Sequence, residues 1–292
     1  MIDFELHNPD SLAEAFNLLE TYGEDARVMA GGTALVLQMK QRLAQPEHVI
    51  SLRRVVGLNQ IEESVNGSAG LKIGALCAQQ QVATSQLVKD KLSLVSETYQ
   101  HVATPRIRYM ATVGGGLVHG DPSQDPPPSL IALGASLTLT SASGQRVVSM
   151  EDFLIDYYET DVQPGEILTD VFIPTAPAGS GAAYLKFLPR TADDYATVAV
   201  AAVVTPGEGN LCQDVRIALG AVGTTAIHAT QAEEILRGRP LTEENIRAAA
   251  ASVKDVVDPL DDYRGSADYK REMAEVFTRR AIQQALENSR RG

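Results

Sequence analysis

Two short stretches of this sequence carry the residue types that hold a charged ligand. They are Ala30-Gly31-Gly32-Thr33-Ala34 and Thr112-Val113-Gly114-Gly115-Gly116, each setting a threonine hydroxyl beside consecutive glycines. Glycine lets backbone N–H groups approach an anion without interference from a Cβ, and the start of a following helix adds a positive end. One such turn is common in α/β proteins and says little alone. Two suggest one anion gripped from two sides. A diphosphate within a dinucleotide suits that arrangement, because its two charged groups need donors from more than one direction. The spacing is not G-x-G-x-x-G, so a Rossmann fingerprint is not met.

The second turn lies in residues 111–134, which read as a strand end, a polar glycine-rich loop and then a short helix ending at Gly134. Asp121 and Asp125 flank Pro122-Ser123-Gln124. A carboxylate near a phosphate is repelled by it, so these two should face a sugar hydroxyl or an adenine amino group. Asp125 also precedes three prolines that open the helix, which suits a helix cap equally well, and both roles can hold. A lone histidine in such a loop, His119, reads as a residue satisfying backbone groups more readily than as a proton carrier. Residues 190–195 place charges ahead of Tyr195 at a strand junction. That is either a cover over the ligand or a solvated turn with Tyr195 packed at its base. No nucleophile–base pair appears, so no catalytic side chain is assigned.

The elements that must position these turns follow from periodicity. A strand at 4–6, a helix opened by the capping box Ser11-x-x-Glu14, a strand at 27–30, a helix with Leu35, Met39 and Leu43 inward, and a strand at 49–52 make a small βαβ unit. A hairpin is expected over 61–74 with Asn66-Gly67 at its turn. Helices are expected at 79–85 and 87–101. Another hairpin spans 136–149, a short helix follows at 150–154, and a strand runs over 166–173. The Pro-, Gly- and Ala-rich residues 175–182 read as a linker. The fold class is therefore α+β, with a ligand domain at 1–175 (subdomains about 1–55 and 56–175) and a second domain at 176–292. That second domain should hold three antiparallel strands, at 183–188, 196–204 and 214–219, backed by helices at 230–237, 242–257 and 268–288.

Composition sets outer bounds. The 292 residues, 44% hydrophobic and 21% charged, suit a globular protein with a buried core. The net charge of −12 argues against a nucleic-acid partner or an anionic membrane surface. The first residues lack a basic segment ahead of an apolar run, so no signal peptide is expected, and no apolar run is long enough to span a bilayer. Cys77 and Cys212 read as reduced thiols of a cytoplasmic protein. Two cysteines cannot supply the ligands of an iron–sulfur cluster, so no metal is assigned to this chain.

Several segments resemble the FAD-binding medium subunits of molybdenum hydroxylases, the group that includes carbon monoxide dehydrogenase and xanthine dehydrogenase. They are Ala30-Gly-Gly-Thr33 with Met39-Lys-Gln-Arg-Leu43, Arg108-Tyr-Met-Ala-Thr-Val-Gly-Gly115, Asp121-Pro-Ser-Gln-Asp125, Gly165-Glu-Ile-Leu168, Asp194-Tyr-Ala-Thr197 and the Arg279-Arg280-Ala281 helix. The resemblance covers almost the whole chain, in order. It implies an FAD domain of two α+β subdomains, of the vanillyl-alcohol oxidase (PCMH) type, followed by a C-terminal α+β domain. It implies that Ala30–Ala34 and Thr112–Gly116 bind the pyrophosphate of non-covalent FAD through backbone N–H groups, and that Asp125 binds the adenosine portion. It further implies flavin contacts from Leu168 and Lys186, with Tyr195 against the isoalloxazine. Partners follow: a large molybdenum-cofactor subunit and a small subunit with two 2Fe–2S clusters, assembled as a dimer of heterotrimers. The chain would pass electrons from those clusters through FAD to an external acceptor, as an oxidoreductase subunit inactive alone. Two positions depart from the family pattern, Gly116 where an asparagine is usual and Ala34 where a polar residue is usual. Two competing readings are a self-contained FAD oxidase, which needs acid–base residues that the second domain lacks, and a scaffold subunit without flavin.

Overall fold

The computed structural model describes residues 2–66, 68–188 and 195–291. Strand β1 (Glu5–His7) leads into helix α1 (Leu12–Tyr22). Ser11 caps α1 by accepting the Glu14 N–H, and the Glu14 carboxylate reaches back to the Asp10 N–H. Strand β2 (Ala26–Met29), helix α2 (Leu35–Lys40) and strand β3 (His48–Ser51) complete a parallel sheet of order β1-β3-β2. The expected βαβ unit is therefore present. The glycine turn sits at the carboxyl end of β2, directly ahead of α2. One core residue is corrected here: Met39 is buried, but Leu43 is 77% exposed. The chain leaves α2 at Lys40 and Arg42 turns left-handed, with φ 62°, so Leu43 never reaches the inward face.

The middle of the chain builds an antiparallel sheet with helices on it. Its elements are β4 (Ile61–Asn66), β5 (Ser68–Gly74), α3 (Gln79–Thr84), α4 (Gln86–Lys91), α5 (Ser93–Gln100), α6 (Pro105–Met110), α7 (Val113–His119), α8 (Pro126–Leu133), β6 (Ser136–Ser141), β7 (Gly144–Ser149), α9 (Met150–Phe153), β8 (Leu154–Asp156), β9 (Glu159–Thr160) and β10 (Ile167–Pro174). The sheet order is β4-β5-β10-β6-β7, so the last strand of the segment lies in the middle. Leu71, Ile73, Leu137, Leu139 and Val171 fill its core. Both expected hairpins form; Gly67, at the turn of the first, lies outside the described residues. The single helix expected over 87–101 is two, broken at Leu92 (φ −140°, ψ 57°). Ser85 caps the first of them by accepting the Val88 N–H.

The C-terminal layer holds β11 (Gly181–Phe187), β12 (Val198–Pro206), β13 (Cys212–Gly220), β14 (Ile227–His228), α10 (Thr230–Leu236), α11 (Glu243–Ser252) and α12 (Ala267–Ser289). Its strands run antiparallel in chain order, four where three were expected, because β14 is too short for alternation to mark it. Strand β12 is buried on both faces. Val198, Val200, Ala202 and Val204 meet the helices, while Ala199, Ala201 and Val203 join the core that contains α8. The small residues let α8 lie close. A Cβ on Gly220 would come within 2.8 Å of Pro128 Cγ. None of the helices among the described residues is long and apolar enough to cross a membrane.

A histidine bridges α9 and the C-terminal layer. His228 Nδ1 lies 2.9 Å from Glu151 Oε2, and its Nε2 lies 2.7 Å from Glu233 Oε1. Glu233 is buried and also accepts the Ile217 N–H and an Arg237 N–H. The Glu233 hydrogen bond raises the His228 pKa against the opposing pull of burial. A raised pKa stabilises the fold fully below the unfolded value of about 6.5 and ceases to as pH rises through the folded one. The melting temperature of wild type should therefore exceed that of His228→Phe most at about pH 5 and converge toward it near about pH 9. A gap that widens with pH would contradict the bridge.

Candidate cofactor site

The second glycine run is the first turn of helix α7, not a loop. Ala111, expected at a strand end, follows helix α6. Thr112 is the helix cap, and its Oγ1 accepts the Gly115 N–H at 3.1 Å. The Val113 N–H goes to Cys77 O, that of Gly114 to Ala75 O, and that of Gly116 to Thr112 O. The N–H groups of residues 113–116 are thus taken inside the protein. These four N–H groups are therefore not open donors like those of the first turn. The glycines contribute by lacking side chains. A Cβ on Gly114 would lie 2.6 Å from Ala75 Cβ, and one on Gly115 would lie 3.3 Å from Ala30 Cβ.

The first turn is the opposite case. No protein acceptor among the described residues takes the N–H groups of Gly31, Gly32, Thr33 or Ala34. Gly32 adopts φ 75°, which glycine accepts without strain. Gly31 lies against the backbone at the end of α6, where a Cβ would come within 1.9 Å of Met110 O. The two turns therefore meet. Residues 30–34 bring a row of open donors, and residues 112–116 bring a bare wall beside it. This donor set fits the pyrophosphate of a dinucleotide. Ala34 keeps its N–H although it lacks a polar side chain.

Gln79 was not singled out in the sequence. It opens α3, donates its backbone N–H to Ala111 O, and is 6% exposed. Its Oε1 is buried without a partner. Its Nε2 lies 2.9 Å from the position a Cβ on Gly116 would take. The available signal was a run of three glutamines at a helix start whose periodicity turns the first one inward.

The two aspartates have different surroundings. Asp121 is buried. Its Oδ1 accepts the Ser123 N–H, and Tyr195 and Tyr158 direct their hydroxyls to it. Burial, with the Asp121 charge second, pushes both tyrosine hydroxyls up. Tyr195 is 46% exposed and has the Arg264 guanidinium 5.5 Å from its ring centroid. So Tyr195 does reach the central stretch; residues 190–194 of the same turn lie outside the described residues. His119 is held below its usual pKa by burial and sits beside the Tyr158 ring. That agrees with a packing residue rather than a proton carrier.

Asp125 does not cap α8. The reason is in the sequence: a cap bonds the N–H of the second or third helical residue, and here both are prolines, Pro127 and Pro128. Its carboxylate instead receives Tyr184 Oη–H at 2.6 Å and Lys186 Nζ–H at 3.0 Å. Lys186 also donates to His101 O. Both charged groups are buried, with side chains 2% and 5% exposed for Lys186 and Asp125. Burial pushes the Asp125 carboxyl up although Lys186 and Tyr184 pull it down. The ion pair fastens β11 to the start of α8 and to the chain after α5. Leu168 is buried in β10 beside a bulge, where Thr169 O accepts the Ala75 N–H. Ala75 O in turn accepts the Gly114 N–H, so β10 props the second turn.

A separate group, Glu5, His7 and His48, lies on β1 and at the start of β3. The two imidazoles share a 3.1 Å hydrogen bond, and the Tyr22 ring stacks at 3.7 Å from His48. Bonding and stacking account for the cluster.

The chain is similar to known proteins along its length. Residues 2–176 match the FAD binding domain in molybdopterin dehydrogenase, and residues 183–285 match the CO dehydrogenase flavoprotein C-terminal domain. The carbon monoxide dehydrogenase medium chain of Afipia carboxidovorans is 40% identical over 282 residues, covering 97% of this chain and 96% of that one. The nicotine 6-hydroxylase medium subunit of Paenarthrobacter nicotinovorans is 34% identical, with 95% of each chain covered. Among solved structures, carbon monoxide dehydrogenase from Hydrogenophaga pseudoflava matches with a TM-score of 0.94 at 37% identity over 99% of each chain. Quinoline 2-oxidoreductase from Pseudomonas putida 86 matches with a TM-score of 0.91 at 32% identity, covering 99% of this chain and 98% of that one. With both halves and the full-length fold in agreement, the chain belongs to the FAD-binding medium subunits of the molybdenum hydroxylases.

Proposed function

We propose that this chain holds FAD non-covalently where its two glycine turns meet, and serves as the electron-transfer subunit of a molybdenum hydroxylase complex. The open N–H groups of Gly31, Gly32, Thr33 and Ala34 carry this reading. Four donors in sequence, beside a wall without side chains, suit a doubly charged pyrophosphate and little else. The Thr33 hydroxyl adds a further donor. Residues 112–116 act as the wall, and β10, the strand that carries Leu168, supports it through the Thr169–Ala75–Gly114 strut. Tyr195 and Asp121 cover the isoalloxazine side. Asp125 acts mainly through Lys186 and Tyr184, setting the position of β11 and α8 around the adenosine end.

Bound FAD supplies the redox chemistry, accepting electrons from two 2Fe–2S clusters on a small partner subunit and releasing them to an external acceptor. The substrate would be hydroxylated at a molybdenum cofactor on a large partner subunit, in a dimer of heterotrimers. This chain's residues bind, orient and shield; none needs to move a proton on the substrate. We divide the chain into a flavin unit at 1–175 and a C-terminal unit at 176–292. We place it in the cytoplasm, where the buried thiols of Cys77 and Cys212 stay reduced.

Purified chain supplied with FAD should show flavin bands at roughly 370 and 450 nm that survive gel filtration. Colourless protein after that treatment would refute the reading. Substrate turnover by the isolated chain would favour a self-contained oxidase instead.

A further inference from the structure

We infer that Gln79 contacts the bound dinucleotide directly, its amide hydrogen-bonding the pyrophosphate–ribityl segment from the α7 side. The inference rests on the FAD reading above and adds a residue to it. The wall at 112–116 has few backbone donors left, because Val113, Gly114, Gly115 and Gly116 all give their N–H groups to protein acceptors. A ligand held by the first turn would have polar atoms facing the 113–116 part of that wall, where no backbone N–H is open. The side chain that a Cβ on Gly116 would meet, among the described residues, is that of Gln79. It is 6% exposed, and its Oε1 is buried with no hydrogen-bond partner among the described residues. An acceptor buried without a donor is costly. Burial therefore has to be compensated by something the protein itself does not supply. An amide presents donor and acceptor together and carries no charge, so it can meet a phosphate oxygen or a ribityl hydroxyl without repulsion.

The same geometry explains Gly116. A side chain there would put its Cβ 2.9 Å from Gln79 Nε2 and displace the amide. The glycine at this position keeps room for a donor that comes from α3 instead.

The test is FAD titration of the full chain, stripped of flavin, with the flavin-free melting temperature recorded beside it. Gln79→Met keeps the volume and removes the amide. FAD should bind about 10-fold more weakly, a loss of about 1.4 kcal/mol. The flavin-free protein should melt at the same temperature or higher, because an unsatisfied polar group has been removed. Gly116→Ala should weaken FAD in the wild-type background and much less in a Gln79→Ala background, where the displaced group is gone. Wild-type affinity in Gln79→Met would overturn the inference while leaving the FAD reading intact. So would a lowered flavin-free melting temperature with the affinity loss, which would make Gln79 a structural residue. Failure of the wild-type chain to bind FAD would sink the FAD reading itself, and this inference with it.

Discussion

Gly31→Ala should leave the purified chain without FAD while its sheets still form. The added Cβ would stand 1.9 Å from Met110 O, 2.8 Å from the same carbonyl carbon and 3.0 Å from Ala111 Cα. These are backbone atoms at the end of α6, so no rotamer change relieves the clash. The first turn must lift off α6, which moves its row of N–H groups away from the α7 wall. FAD affinity should fall at least about 100-fold, or about 2.7 kcal/mol. Overpacking of this kind costs about 1–3 kcal/mol of stability, so the far-UV circular dichroism should change little. Gly32→Ala is the informative comparison. Its nearest obstacle is the flexible Met29 Sδ at 3.1 Å, and its main cost is the positive φ, about 1–2 kcal/mol. Flavin content should therefore rank wild type, then Gly32→Ala, then Gly31→Ala. Full flavin content in Gly31→Ala would show that the two turns need not touch.

Lys186→Met should be among the most destabilising single changes available on this chain. It leaves the Asp125 carboxylate buried with only the Tyr184 hydroxyl to stabilise it. Removing one member of a buried pair costs about 3–5 kcal/mol, and urea unfolding measures it. The pH dependence adds a second check. Burial already pushes the Asp125 carboxyl up, and losing the ammonium removes the strongest opposing influence. A raised carboxyl contributes stability below its unfolded pKa of about 3.9 and loses it as pH rises through the folded value. The deficit of Lys186→Met should therefore be larger at about pH 7 than at about pH 5. Adding Asp125→Asn to Lys186→Met should recover part of the loss, because the uncompensated charge disappears. A cost below about 1 kcal/mol for Lys186→Met alone, the range of an exposed pair, would show that the pair does not fasten β11 to α8.

Some of this was legible from residue order. The Ser11 cap, the βαβ unit, the hairpin at 61–74 and the long C-terminal helix all follow from contacts within a few residues. The two glycine turns were legible as a pair, and so was their meeting. Leu43 was misplaced because helical spacing was extended past the point where α2 ends. The break at Leu92 was missed because apolar spacing continues through it while the backbone does not.

What the sequence determined by itself is where bare backbone occurs, which helices form and which family the chain joins. Those are local matters: φ/ψ sterics, caps and side-chain periodicity act over a few residues, and family motifs are read off the residues themselves. The tertiary structure decided which of that backbone is open to a ligand. The acceptors that take the α7 N–H groups include Ala75 and Cys77, which no rule of spacing ties to Val113 and Gly114. Asp125 likewise finds Tyr184 and Lys186 on a strand of another layer, after the prolines beside it removed its local partners. A hydrogen-bonding group bonds whatever the fold places within about 3 Å of it, and that neighbour is a property of packing, not of order along the chain.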